Sequence, residues 1–126
     1  MKLALVTLSL LSAGLFLSSQ TGCQTDSPGA TNTLGSYSTM VSSSPDKVTA
    51  AAGKAAGDLK LLNIVSNGTK IDGRVTARNA QGDKVSIDIE QAGDGVSKVT
   101  IRVGATGDDA VSKQLVDRIN SHLSWL

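Results

Sequence analysis

Over residues 70–78, apolar and polar side chains alternate without a break. Ile71, Gly73, Val75 and Ala77 fall on one side, and Asp72, Arg74, Thr76 and Arg78 on the other. A period of two is that of a strand with one buried face. Residues 84–90 repeat the pattern, with Val85, Ile87 and Ile89 inward, and Val99 and Ile101 continue it in a further strand. Residues 61–66 also read as a strand, followed by Asn67-Gly68, the strongest short hairpin signal. A two-residue turn there sets Ile64 opposite Ile71 and Leu62 opposite Gly73.

The other loops set registers too. Ala80-Gln81-Gly82 fits a three-residue hairpin loop with Gly82 left-handed. It places Val75 opposite Ile87, Ala77 opposite Val85, and Arg74 opposite Asp88. Gly93-Asp94-Gly95 has the same design and places Ile89 opposite Val99, Ile87 opposite Ile101, and Glu90 opposite Lys98. Two separate loops thus match apolar to apolar, where a slip of one residue would turn every apolar side chain to water. Ser36–Val41 is a shorter strand rich in β-formers, with its partner open between the second strand and the last.

Two stretches carry helical periods instead. Val48, Ala51, Ala52, Ala55 and Leu59 form one stripe. Ser44 as the cap, Pro45 at the first position and Asp46 at the positive end of the dipole open that helix. Val111, Leu115, Ile119 and Leu123 form the second stripe, widened by Val116 and Leu126, with Asp108 or Asp109 as the cap. Asp117, Arg118, Asn120 and Ser121 face water. The predicted fold class is α+β, in the order β-α-β-β-β-β-α: an antiparallel meander sheet with two helices packed on one face.

The start of the chain has a different pattern. Lys2 precedes an apolar run over residues 3–17, then Ser18-Ser19-Gln20-Thr21-Gly22-Cys23. A positive start, an apolar core and small residues before a cut make an export signal. About fifteen apolar residues suit a signal core and fall short of the roughly 20 a spanning helix needs. The expected division is 1–22 signal peptide, 23–35 lipidated cysteine and flexible tether, and 36–126 a single α+β domain. Residues 24–35, rich in Thr, Gly and Asn, have too little apolar surface to offset their ordering entropy.

Composition narrows the function classes. The chain has 12 basic and 11 acidic side chains, so losing Lys2 with the signal leaves the mature charge balanced. Nucleic-acid partners leave a basic footprint, and none is present. Tyr37 and Trp125 are the only rings beyond Phe16 of the signal. Stacking platforms for bases or sugars are therefore not expected.

Cys23 directly after Gly22 resembles the lipobox of bacterial lipoproteins, with Gln20 standing where that motif usually has Leu. The resemblance implies cleavage before Cys23, a diacylglyceryl group on its thiol, and an N-acyl chain such as palmitate on the new amino terminus. Gln24, in place of an Asp, implies the outer membrane rather than the inner. Beyond the lipobox and spacer, DGRVTARNAQGDKVSIDIE and KVTIRVGATGDDAVSKQLVDRI resemble a family of small bacterial lipoproteins of unknown function, over about residues 35–124. Its most specific pieces here are Asp72-Gly73 with Val75, Ala77 and Gly82, and Ile101-Arg102-Val103-Gly104 with Gly107-Asp108. The resemblance implies an envelope lipoprotein facing the periplasm, with an α+β domain and no assigned activity.

Candidate chemistry is sparse. His122, the one histidine, has no nucleophile and orienting acid spaced around it, and reads as a surface residue near a helix end. With Cys23 lipidated no thiol nucleophile remains, and no Cys/His cluster suggests a metal. Asp108-Asp109 reads as a helix cap, and Gly104-Ala105-Thr106-Gly107 as a connector without a phosphate loop's Lys. Catalytic residues, cofactor and metal are all expected to be none, apart from the covalent lipid at Cys23. The polar sheet face is the candidate partner-binding surface: Arg74, Arg78, Asp88, Glu90, Lys98 and Arg102. The expected function is a non-enzymatic binding or structural module. Its partners are the membrane, through the lipid, and an envelope protein. The alternative is an exported small-ligand or lipid carrier with a cavity between sheet and helices.

Overall fold

The strand read as least regular is the one that orders the sheet. The computed structural model describes residues 31–33 and 35–124. In it β2 (Ser36–Val41) pairs antiparallel with the last strand, β6 (Val96–Val103), with Tyr37 opposite Ile101 and Thr39 opposite Val99. A three-residue strand, β1 (Thr31–Thr33), pairs with the outer edge of β2. Those three residues fall in the stretch read as tether. Pairing needs only backbone N–H and C=O groups, and β2 presents a free row of them there. The remaining elements are α1 (Pro45–Asp58), β3 (Leu62–Gly68), β4 (Asp72–Arg78), β5 (Lys84–Gly93) and α2 (Asp109–Leu123). The sheet order is β1-β2-β6-β5-β4-β3, all antiparallel.

Both helices cover one face. α1 packs on β3, β4 and β5, α2 on β2 and β6, and the two helices pack on each other. The core between them is aliphatic: Val48, Ala51, Ala52 and Ala55 from α1, Leu115, Val116 and Ile119 from α2, and Val75, Val85, Ile87, Ile89, Val99 and Ile101 from the sheet. Burying an aliphatic side chain of this size contributes roughly 1.5–3 kcal/mol before ordering entropy is charged. The Ala stripe lets α1 sit close to the sheet. At Gly73 there is no room for a side chain, since an added Cβ would overlap Thr49 Oγ1. Thr49 is itself buried and donates its hydroxyl to the Pro45 carbonyl at 2.7 Å.

The central registers follow from the two loops. Arg74 faces Asp88, Val75 faces Ile87, and Ala77 faces Val85. Ile87 faces Ile101, Ile89 faces Val99, and Glu90 faces Lys98. Gly82 has a φ of 89°. The second loop reaches its register by a different route. Gly93 pairs with Val96, leaving Asp94-Gly95 as the turn, and the extra residue is absorbed between Gln91 and Gly93.

The β3–β4 connection departs from the expectation. Asn67 and Gly68 lie within β3, paired with Arg74 and Gly73, and the turn is Thr69–Asp72. Thr69 decides this. Its N–H donates to the Asp72 carbonyl at 2.7 Å, and its hydroxyl accepts the N–H groups of Ile71 and Asp72 at 3.2 Å each. Ile71 therefore sits in the turn, 63% exposed, rather than facing Ile64 in the core. A bulge between Leu62 and Val65, with Asn63 at a left-handed φ of 54°, then changes the parity of the strand. Leu62 comes opposite Arg78, on the open face, instead of facing Gly73.

The helix starts differ as well. Asp108 caps α2, accepting the Val111 N–H at 3.1 Å. Ser44 stands at the N-cap of α1 but makes no side-chain bond to the helix backbone. Its hydroxyl donates to Asp46 instead. That bond, with the Lys47 N–H on the same oxygen, holds the Asp46 carboxyl below its ordinary 3.8. Leu126, expected on the α2 stripe, lies outside the described residues, as do the signal, Cys23 and Trp125.

Candidate functional site

Alternation that buries one set of side chains on the helices delivers the other set to the open face. The pairings align that set in rows across the sheet. One row runs Ser38, Thr100, Asp88, Arg74, Asn67. The next runs Met40, Lys98, Glu90, Asp72. A third runs Ser36, Arg102, Ser86, Thr76, Val65.

The first two rows border an open depression of about 840 Å³. Its wall on the β3 side is Asn67 with the Thr69–Asp72 turn, and its floor includes the backbone of Gly68 and Gly73. Arg74, Asp88, Glu90, Lys98 and Thr100 point into it from the sheet. Two cations thus stand among three carboxylates, Asp72, Asp88 and Glu90. The Arg74 Nε–H donates to Asp88 Oδ1. This pair is open to solvent, which limits it to about 0.2–1 kcal/mol. Ser38 Oγ and Thr100 Oγ1 share a hydrogen bond of 3.0 Å at the far end of the row.

Of the six residues expected to form a partner face, the depression brings together Arg74, Asp88, Glu90 and Lys98. Arg78 and Arg102 stand apart from it. Arg78, at the end of β4, donates from Nη1 to the Gly82 carbonyl at 2.8 Å, closing its own hairpin loop. Arg102 belongs to the third row, between Ser36 and Ser86. Asn67 and Thr69 were not legible as site residues, because the Asn-Gly signal placed them in and after a turn. Thr100 joins them from β6, and its place two residues after Lys98 is the sequence signal that puts it on the same face.

The remaining candidates serve the framework. His122 Nε2 lies 2.7 Å from Asp58 Oδ2 and ties the ends of the two helices together. Gly104 to Gly107 joins β6 to α2. Its Gly107 lies so close to Gly35 that an added Cβ would be 2.3 Å from the Gly35 carbonyl oxygen, so the loop is filled by chain. Among the described residues, no three His, Cys, Asp or Glu side chains are placed to hold a metal ion. Among the same residues, no helix is long and apolar enough to cross a membrane.

A family model described as "Protein of unknown function (DUF3568)" matches residues 2–122. The chain belongs to this family. The matched span takes in the apolar run and Cys23 as well as the folded domain. A comparison with curated proteins gives no match.

Proposed function

We propose that this protein is a non-enzymatic binding module of the bacterial cell envelope, held at a membrane by lipid on Cys23. The observation that carries the binding part is the mixed-charge depression on the open face of the sheet. A shallow site with Arg74 and Lys98 set among Asp72, Asp88 and Glu90 suits a partner that carries both amines and carboxylates, as a protein or a peptidoglycan-linked peptide does. The one hydroxyl that donates to a carboxylate there, Thr69 to Asp72 Oδ1 at 2.9 Å, holds the turn, and we read the charged residues around it as binding a partner. The anchoring part rests on Lys2, the apolar run to Leu17, and Cys23 after Gly22. Three acyl chains would hold firmly, since each buried CH₂ adds roughly 0.8 kcal/mol. Gln24 favours the outer membrane, with the domain facing the periplasm.

The carrier alternative draws no such support. The depression lies on the side of the sheet away from the helices. Between sheet and helices, Val48, Ala52, Ala55, Ile87, Ile101, Leu115 and Ile119 pack as fully buried side chains.

Two measurements test the reading. Intact mass with membrane fractionation, comparing the wild type with Cys23→Ser, is expected to show an acyl mass shift and membrane association that the variant loses. Crosslinking in intact envelopes, comparing the wild type with Glu90→Lys, is expected to give a specific partner band that the charge reversal removes. An unmodified soluble chain would end the anchored reading. A crosslinking pattern identical in both proteins would end the role of the depression.

A further inference from the structure

The sheet closes differently at its two edges. One ends in β1, three residues long, and short edge strands resist further pairing. The other ends in β3, seven residues long. In an antiparallel ladder, residues that bond across the pair alternate with residues that point their N–H and C=O the other way. The Thr69 N–H bonds to the Asp72 carbonyl, so Asn67 and Val65 turn their backbone groups to Arg74 and Thr76. Ser66 and Gly68 then direct theirs off the sheet. Leu62 and Val65 are 56% and 53% exposed beside this edge, with Ile64 at 38%. The strand, Leu-Asn-Ile-Val-Ser-Asn-Gly, holds no Lys, Arg, Asp, Glu or Pro, the residues that commonly blunt an exposed edge.

We propose that β3 is a homodimer interface, where a second copy of this chain adds its own β3 antiparallel across a two-fold axis. The segment ahead of β1 enters at the opposite edge of the sheet. Residues before Thr31 join at β1, five inter-strand spacings away, or about 24 Å. If Cys23 is the mature first residue, the part of the chain ahead of Thr31 extends to at most ~28 Å, which is used up in crossing the sheet. That reach rests on the proposed cleavage before Cys23. The last described helix, α2, packs on β2 and β6, away from this edge. A second copy fits because β3 complements itself. An uncharged strand meets no like charge in its copy. With the axis at Val65, Ile64 and Ser66 exchange backbone bonds across it, and the two Val65 side chains meet at the close, non-bonded position. Val65 lies opposite Thr76, an open-face position, so the two depressions would stand on the same side of one continuous sheet. A partner with repeated charges would then engage both, strengthening attachment without any new contact.

The test is oxidative crosslinking of the full chain carrying Val65→Cys, read by intact mass without reductant. The parent chain, with Cys23 alone, sets the background, and Thr76→Cys, one strand further in, is the control. A covalent dimer is expected from Val65→Cys only. Light scattering of the full chain in detergent is expected to give a dimer that Val65→Lys converts to monomer with unchanged circular dichroism. A monomeric wild type, no crosslink at Val65→Cys, equal crosslinking at Thr76→Cys, or a dimer that survives Val65→Lys would each overturn the pairing. The same masses report acylation separately: an unlipidated dimer removes the anchored reading alone, and a lipidated monomer removes the pairing alone.

Discussion

β5 has a strand on each side, and β3 has one. Val85, Ile87 and Ile89 of β5 meet the partners that the loops and the alternation specify, on β4 and again on β6. β3 takes a register six residues away from the one its Asn-Gly pair suggests, and a bulge besides. The difference shows when a hydrophobic pattern controls pairing. Sliding β5 would cost burial on both neighbours at once. Every residue of β3 is exposed, so sliding it costs little burial, and local turn chemistry decides. Three hydrogen bonds around Thr69 outweigh the intrinsic preference of Asn67-Gly68 for a turn.

The comparison can be broken most sharply at the centre. Ile87→Ala removes a side chain that is 1% exposed and is expected to cost about 2–5 kcal/mol in denaturant unfolding. Val65→Ala at the edge, measured on the monomer, should stay within about 0.5 kcal/mol. Equal losses would mean that packing holds β3 as tightly as it holds β5.

A smaller effect is expected where α1 meets the sheet. Gly73→Ala should cost about 1–3 kcal/mol, because the new methyl would overlap Thr49 Oγ1. Adding Thr49→Ala should recover part of that loss. Strictly additive losses in the double-mutant cycle would place the strain elsewhere.

β2, between edge and centre, offers a gain. Thr39 Oγ1 is buried with no hydrogen-bond partner, opposite Val99. Thr39→Val keeps the shape and removes the unpaired hydroxyl, so stability is expected to rise by about 1 kcal/mol. A lower midpoint would mean that the hydroxyl has a partner after all.

The finest distinction lies in the turn itself. Thr69→Ala is expected to cost about 0.5–1.5 kcal/mol, and Asn67→Ala less. The reverse order would restore Asn67-Gly68 as the turn.

The depression was legible to the same extent as the register around it. Arg74 with Asp88 and Glu90 with Lys98 could be paired from the loops, because their strands are locked by buried neighbours. Arg78 and Arg102 share their face but not their place, since alternation assigns a side and says little about position along it. Asn67 and Thr69 were hidden because their strand has no buried pattern to anchor it. Ser44 shows the same limit on a smaller scale. A capping residue before Pro45 was correctly placed, yet its hydroxyl goes to Asp46, a choice between near-equal local bonds.

By itself, the amino-acid sequence determined the order of the main elements, the buried faces of β4, β5, β6, α1 and α2, and the registers across the Gly82 and Gly95 loops. Those are properties of short stretches, where period and turn residues act within about ten positions. Only the tertiary structure decided that β2 lies against β6, that β1 extends that edge, and that Thr49 fills the space over Gly73. It also decided that β3 is left open to solvent. These contacts join residues far apart in the chain. They are settled by which arrangement buries the most apolar surface while pairing the backbone, a condition no single stretch of sequence contains.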